Sequence, residues 1–269
     1  MRLIIIANDK KNGGVAMNTT SEFGITINDV ADFIESIKKA YGKKLTPGLN
    51  TFTSIKDTAF FCTTSVKDDE KGPIAIVPST LSLNNKNQEV YLISLGGTEF
   101  VKGQATDLKT DFLVALEMNN DYLTAAKEAI LNNIPSGSSL ILTGYSLGGM
   151  VAQQISANKE IVRNYQVENV VAVGSPLISP IGREGKIRRV CDVNDVVPYL
   201  SLCSMLFQWM YKNEKVVEDG GYKTPIGAHA LSYVSSDVWS KYDPLGISNG
   251  GSTLTFDTSN LVYYPAPIR

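Results

Sequence analysis

The sequence predicts an α/β protein with a mostly parallel central sheet, an antiparallel edge and helices on both faces. From residue 89 onward, short apolar runs alternate with patterns of helical spacing, which is typical of right-handed strand–helix–strand crossovers. The run at 167–173 has the uninterrupted apolar character of a strand buried on both faces. Earlier strand-like runs follow one another without a helix between them, and this predicts the antiparallel edge.

The strands are predicted from short runs rich in β-branched and aromatic residues, bounded by turn residues. The runs with these features are 3–6, 59–66, 74–77, 89–95, 140–143, 167–173 and 187–193. A charged turn at 67–72 is expected to join the second and third of them. The last segment, 248–269, resembles a hairpin around residues 257–260.

The helices are predicted where apolar residues recur at helical spacing between a capping residue and a stop signal. Asn28 or Asp29 can cap a helix that Gly42 ends. Two further helices are predicted at 107–118 and 121–134, the second with an aspartate as its cap. Together with the strands, these elements predict helices between the parallel strands.

Composition and length fit one globular domain. The chain has 269 residues, of which 43% are hydrophobic, so it can bury a sizeable core. We expect a single domain over 1–269, with an N-terminal region at 1–56, a core at 57–235 and a C-terminal extension at 236–269. The net charge of −2 is spread over interspersed residues of both signs, which makes a nucleic-acid partner unexpected.

The rare residue types restrict the chemistry. The three cysteines are scattered without metal-ligand spacing, and His229 is the only histidine. A metal site built on histidine is therefore not expected, and no cofactor is implied. The apolar start at residues 3–7 is too short for a signal peptide, and no run approaches the length of a membrane span. We expect a cytoplasmic protein, or one exported without a recognisable signal peptide.

The pattern Gly-x-Ser-x-Gly stands at residues 144–148, directly after the apolar run at 140–143 and before a helical pattern. A strand, a sharp turn and a helix in this order form the context in which a serine is exposed as a nucleophile. Gly144 and Gly148 leave room for the chain to pass close to the turn. The alternative is an ordinary glycine-rich turn between a strand and a helix, with Ser146 lacking any chemical role.

A serine nucleophile needs a base, and an imidazole base needs a carboxylate to hold it. His229 is the only imidazole available, although a lone histidine can also be a surface or core residue. Asp192 and Asp195 compete as the carboxylate. We favour Asp195 because it lies in the loop beyond a predicted strand, whereas Asp192 lies inside the strand pattern. Serine, aspartate and histidine then follow one another in the order used by α/β-hydrolases.

Attack on a carbonyl also requires N–H donors for the oxyanion. The residue after the serine, Leu147, can supply one backbone N–H, and a turn after an earlier strand can supply the other. The best candidate is Gly96-Gly97-Thr98, so Thr98 is the predicted second donor. An ordinary turn that ends a strand is the alternative interpretation.

Six motifs in this order resemble the signature of the class 3 (fungal-type) lipase family. They are Leu95-Gly96-Gly97-Thr98, Asp107 to Phe112, Thr143 to Gly149, Val173-Gly174-Ser175-Pro176, Asn194-Asp195-Val196-Val197-Pro198, and His229 with Tyr233. The resemblance covers residues 57–235. The chain differs in having Gly96 where the family usually has arginine and Tyr145 where it commonly has histidine.

The resemblance implies an α/β-hydrolase fold and hydrolysis of carboxylic esters in acylglycerols, phospholipids or similar lipids. It also implies a catalytic triad of Ser146, Asp195 and His229, with Thr98 and Leu147 forming the oxyanion hole. Two alternatives remain at this point: an acyltransferase or thioesterase on the same scaffold, and a non-catalytic binding module that only resembles a hydrolase.

Two segments are candidates for substrate contact. The lid of the resembled family would correspond to 99–110, where Phe100 is one of few large apolar residues. Leu206 and Trp209 belong to an apolar stripe of helical spacing at 202–210, which either packs into the core, the simpler interpretation, or lines an acyl site. The expected partner is a lipid or other ester substrate, with transient contact to a membrane or lipid surface, and the oligomeric state stays open.

Overall fold

The computed structural model describes residues 45–65, 72–97, 108–178 and 180–266, together with the isolated residue Ser36. For residues 64–65 and 108–120 it describes the backbone only. The strand predicted at 3–6 therefore lies outside the described residues. Of the helix predicted to begin at Asn28, only Ser36 is described, and it is helical.

All the strands of the described residues join in one nine-stranded sheet. They are β1 (Leu49–Phe52), β2 (Ile74–Leu83), β3 (Lys86–Leu95), β4 (Ser139–Tyr145), β5 (Gln166–Val173), β6 (Lys186–Asp192), β7 (Lys215–Glu218), β8 (Thr253–Asp257) and β9 (Val262–Tyr264). Their order is β1-β8-β2-β3-β4-β5-β6-β7, and β9 also pairs with β2. Strands β3 to β7 are parallel to one another, while the pairs on the β1 side of β3 are antiparallel.

Helices cover both faces of this sheet. The helices of six or more residues are α1 (Ile55–Phe60), α2 (Leu108–Asn133), α3 (Leu147–Ile155), α4 (Lys159–Asn164) and α5 (Leu202–Phe207). One buried cluster joins α2, α3 and α4 to side chains such as Leu140 and Leu142. The neighbouring Ile141 belongs to a cluster on the opposite face, as the alternation of side chains along a strand requires. The protein is thus an α/β protein, as predicted.

Residues 59–66, predicted as a strand, are helical where the structure describes them. Helix α1 is followed by a π-helical turn at Phe61–Ser65. Ser54 and Asp57 form a capping box at the start of α1, and Ile55, Ala59 and Cys62 lie on the buried side. Capping and burial at helical spacing outweigh the strand preference of the phenylalanine and threonine residues.

The antiparallel edge exists, but its hairpin joins β2 to β3. Asn84 and Asn85 form the turn, both with positive φ (51° and 59°), and asparagine tolerates that conformation well. The C-terminal hairpin prediction is wrong: β8 pairs with β1 and β2, and β9 pairs with β2. The two strands thus extend the sheet beside β2 at different positions along it.

The two helices predicted at 107–118 and 121–134 form one helix, α2. The pair Asn119-Asn120, which separates the predicted helices, does not interrupt it, because asparagine costs only a fraction of a kcal/mol inside a helix. In the described part of the chain, no helix combines the length and the apolar character needed to cross a bilayer.

Candidate active site

The carboxyl ends of the parallel strands bring the three predicted catalytic residues together. Ser146 directly follows β4, and Asp195 lies in the turn after β6. His229 lies in a buried π-helical turn, Ala228–Ser232, beyond the end of β7. Ligands of parallel sheets bind at this edge because the loops that leave the strands converge there.

Ser146 occupies a strained turn between β4 and α3. Its φ of 53° and ψ of −118° lie outside the regions that residues other than glycine favour. The turn is also tightly enclosed: a Cβ on Gly148 would lie 2.1 Å from the carbonyl oxygen of Leu95, and a Cβ on Gly144 would lie 2.3 Å from Gly148. Only glycine fits these two positions, which is the steric requirement inferred from the Gly-x-Ser-x-Gly pattern.

A chain of hydrogen bonds links the three side chains. His229 Nε2 lies 3.1 Å from Ser146 Oγ, and His229 Nδ1 lies 2.8 Å from Asp195 Oδ2. All three residues are buried. Because an ionised carboxylate only accepts hydrogen bonds, the proton resides on Nδ1 and the lone pair of Nε2 faces the serine hydroxyl.

Two further groups hold the Asp195 carboxylate in place. Tyr233 donates its hydroxyl to Oδ2 at 2.6 Å, and the backbone N–H of Val197 donates to Oδ1 at 2.9 Å. Burial, and then the negative charge of Asp195, raise the pKa of the Tyr233 phenol well above its ordinary value. The phenol therefore stays protonated near neutral pH and remains a hydrogen-bond donor.

Tyr145 positions the histidine in two ways. Its ring stacks on the ring of His229, with centroids 5.0 Å apart and an angle of 27° between the planes. Its hydroxyl donates to the carbonyl oxygen of His229 at 2.6 Å. In the sequence, Tyr145 stands out only as a difference from the resembled family, and no pattern assigns it a function. The signal was its place beside Ser146, but the partner lies 84 positions away.

Asp192, the competing acid, makes a separate set of contacts. Its carboxylate accepts hydrogen bonds from the hydroxyl of Ser232 at 2.5 Å and from the backbone N–H groups of Gly220 at 2.9 Å and Asn194 at 2.8 Å. These bonds tie β6 to the segment before His229 and to the segment after it. The structure therefore brings Asp195 to the imidazole and uses Asp192 to connect the surrounding backbone.

The predicted oxyanion donors are described only in part. Leu147 begins α3, so its N–H is one of the helix N-terminal donors that have no partner within the helix. Thr98 lies outside the described residues. The preceding Gly97 lies against the turn that carries Ser146, since a Cβ on it would be 3.1 Å from Ser146 Cβ and 2.9 Å from the Tyr145 ring. The turn after β3 thus passes beside the serine.

The apolar stripe at 202–210 is exposed, so the interpretation that it packs into the core is wrong, while the interpretation that it lines an acyl site stays a prediction. Trp209 is 73% exposed and Leu206 is 53% exposed. Polar side chains attach the start of helix α5 to the backbone of Leu177. Ser201 donates to the carbonyl oxygen of Leu177 at 2.7 Å, and Ser204 accepts from its N–H at 2.9 Å. The apolar side chains consequently face outward. Phe100, the other predicted contact residue, lies outside the described residues.

Within the described ranges, no group of three or more histidine, cysteine, aspartate or glutamate side chains is arranged to hold a metal ion.

The chain matches no family model, no curated protein and no solved structure. The site therefore has to be interpreted from its own geometry. A serine hydroxyl, an imidazole and a buried carboxylate in hydrogen-bonded order form an arrangement that can activate an alcohol as a nucleophile.

Proposed function

We propose that the protein is a serine hydrolase that cleaves carboxylic esters through an acyl-enzyme. The observation that carries this proposal is the continuous chain from Ser146 through His229 to Asp195, with its distances of 3.1 and 2.8 Å. Burial of all three residues supports it further, since the electrostatic interactions between the groups of such a chain are stronger where water is excluded.

In the proposed reaction, His229 Nε2 takes the proton of Ser146 as Oγ attacks the ester carbonyl carbon. The carbonyl oxygen becomes an oxyanion, which the N–H groups of Leu147 and Thr98 stabilise. His229 then gives its proton to the departing alcohol as the tetrahedral intermediate collapses to the acyl-enzyme. Water repeats the cycle and releases the carboxylic acid, while Asp195 stays ionised and stabilises the imidazolium.

We infer that the sheet belongs to an α/β-hydrolase fold related to class 3 lipases. The parallel strands β3 to β7 and the strained serine between β4 and α3 support this inference. So does the succession of nucleophile, acid and histidine along the chain. The antiparallel strands at one edge are compatible with it and carry no catalytic residue of the proposed triad.

We also propose lipid esters as the substrate class. Helix α5 supports this, because it follows the Asp195 turn and exposes large apolar side chains to solvent. Its exposed apolar residues are Leu202, Met205, Leu206 and Phe207, and Trp209 and Met210 are exposed in the turn that follows it. Contiguous exposed apolar surface of this kind is characteristic of sites that contact apolar ligands, membranes or other proteins. An acyl chain, or the lipid surface that presents it, would cover this face.

The substitution Ser146→Ala tests the proposed activity. We expect turnover of a short-chain nitrophenyl ester to fall by about three orders of magnitude or more, because the nucleophile is lost. Ser156→Ala is the matched control, since Ser156 is a buried serine just beyond the far end of the helix that follows Ser146. Near-normal turnover in Ser146→Ala, with the thermal transition unchanged, would refute the proposal.

A further inference from the structure

A second charged cluster lies beneath the segment that carries α5, on the sheet face covered by α3. Arg189, on β6, has no solvent exposure. Arg183 precedes β6 and its side chain is 3% exposed. The carboxylate nearest to both belongs to Glu214, whose side chain is 19% exposed. None of these residues belongs to the proposed catalytic site.

Within the described part of the chain, the guanidinium group of Arg189 makes no hydrogen bond. Its Nε, Nη1 and Nη2 atoms are all buried and lack an acceptor. Its nearest ionic contact, from Nε to Glu214 Oε2, is 3.8 Å long, beyond hydrogen-bonding distance. Buried donors are almost always satisfied in folded proteins, and an unsatisfied charged group is especially costly.

Glu214 is already occupied by the other arginine. Arg183 Nη2 donates to both of its oxygens, at 2.9 and 3.1 Å. Two guanidinium groups thus share one carboxylate, so the buried cluster carries one uncompensated positive charge. Lys215 is the residue paired with Arg189 across β6 and β7, and it adds a further positive charge at the exposed side, where it donates to the Tyr199 hydroxyl.

The electrostatic environment of Arg189 agrees with this description. Burial lowers the pKa of its guanidinium from the ordinary value, and the charge of Arg183 acts in the same direction. The opposing influence of Glu214 does not cancel these effects. Arginine nevertheless stays protonated in proteins, so its buried charge is not removed by loss of a proton. A bound anion would compensate that charge.

From this geometry we infer that Arg183 and Arg189 bind a small oxyanion of the phosphate type. A planar guanidinium matches two oxygens of such a group with parallel hydrogen bonds. Tyr199 and Glu214 belong to the segment that leads from the Asp195 turn through α5, whereas Arg189 belongs to the sheet. The anion would therefore fasten the α5 segment to β6 and stabilise it.

Thermal unfolding in phosphate, compared with chloride at equal ionic strength, tests this inference. A ligand that binds only the folded state raises Tm, by about 5 °C at roughly 100 times its dissociation constant. We expect such a rise for inorganic phosphate in the unmodified protein, together with saturable binding in isothermal titration calorimetry. Equal Tm values in phosphate and chloride, with no measurable heat of binding, would overturn the inference.

The substitution Arg189→Met removes the buried charge and keeps an unbranched apolar chain. We expect this variant to lose the phosphate-dependent rise in Tm and to be at least as stable as the unmodified protein in chloride. Arg163→Met is the matched control, because Arg163 is exposed on α4, and it should keep the full effect of phosphate. A phosphate effect that survives in Arg189→Met would contradict the site, and titration of the unmodified protein decides the matter if that variant does not fold.

The source of the phosphate group can be separated in the same experiment. Inorganic phosphate and glycerol 3-phosphate represent free anions, whereas phosphatidic acid vesicles represent a lipid headgroup. A Tm rise with the two soluble anions, and equal vesicle binding by the unmodified protein and Arg189→Met, would assign the site to a free anion. Vesicle binding that weakens at least about tenfold in Arg189→Met would assign it to a headgroup. Both results support an oxyanion site.

Discussion

At the scale of single residues, the proposed chemistry depends on one buried series of hydrogen bonds. The series runs from Ser146 through His229 and Asp195 to Tyr233. Tyr145 stacks on the ring of His229 and donates a hydrogen bond to its backbone carbonyl oxygen. Each group has its partner in a defined direction, so the imidazole needs no rearrangement before it accepts the serine proton. Such preorganisation is a main source of enzymatic rate enhancement.

Substitution of Asp195 should mainly affect catalysis, whereas substitution of Asp192 should mainly affect stability. We expect Asp195→Asn to lower kcat by up to about four orders of magnitude, because an amide in place of the carboxylate favours the wrong tautomer of His229. Asp192→Asn should leave kcat within about tenfold and lower the free energy of unfolding by about 1–3 kcal/mol, since buried hydrogen bonds to Ser232 and Gly220 are weakened. Ester kinetics and urea denaturation measure both effects, and the reverse pattern would show that the acid is misassigned.

The principal site residues could be predicted from sequence because each has a local or compositional signal. Ser146 lies in a motif with a steric requirement, and His229 is the only histidine. The contacts of Tyr145 and Tyr233 could not be predicted in the same way. A tyrosine hydroxyl finds its partner through the fold, here at separations of 84 and 38 positions, and no spacing rule identifies such a pair.

At the scale of elements, the strand–turn–helix unit around Ser146 and the exposed helix α5 have contrasting roles. The unit is tightly packed, because glycine is required at two positions and the helix after it is buried. Helix α5 is attached through serine hydroxyls and presents its apolar face outward. The spacing of the apolar residues at 202–210 is compatible with a buried helix and with an exposed one. Periodicity shows that a helix face is apolar and does not show what covers that face.

Trp209→Ala tests whether this face contacts the acyl chain. We expect kcat/KM for long-chain esters to fall about tenfold more than for short-chain esters, because burial of a large side chain against the substrate contributes about 1–3 kcal/mol. Leu49→Ala is the control, since Leu49 is 71% exposed on β1 at the opposite edge of the sheet. An unchanged chain-length preference in Trp209→Ala would remove the exposed apolar face at 202–210 from the substrate site.

At the scale of the whole molecule, one sheet separates two apolar layers. The parallel half was predictable from sequence because helices alternate with buried strands there. The pairing of β8 and β9 with β2 was not, since it joins residues more than 170 positions apart and antiparallel pairs of this kind leave no local signal. The helical conformation of 59–65 was not predictable either. Its residues favour strands, and burial against the rest of the fold decides its conformation.

The buried core should protect two of the three cysteines from alkylation. Burial raises the pKa of the Cys62 thiol, and it raises the pKa of Cys191 to about 12, so neither forms the reactive thiolate near pH 8. Cys203, on α5, is partly exposed. We expect iodoacetamide to modify Cys203 first in the native protein and all three in urea, as measured by peptide mass spectrometry. Equally rapid modification of Cys62 or Cys191 would contradict the described packing.

Covalent labelling by a fluorophosphonate probe tests most directly whether His229 activates Ser146. The hydroxyl of Ser146 should attack phosphorus and expel fluoride only when His229 accepts its proton, so we expect one adduct, on Ser146, in the unmodified protein. His229→Ala should label at least about a hundredfold more slowly while keeping its thermal transition. Labelling on another residue, or equal rates in the two proteins, would show that Ser146 is not activated by His229.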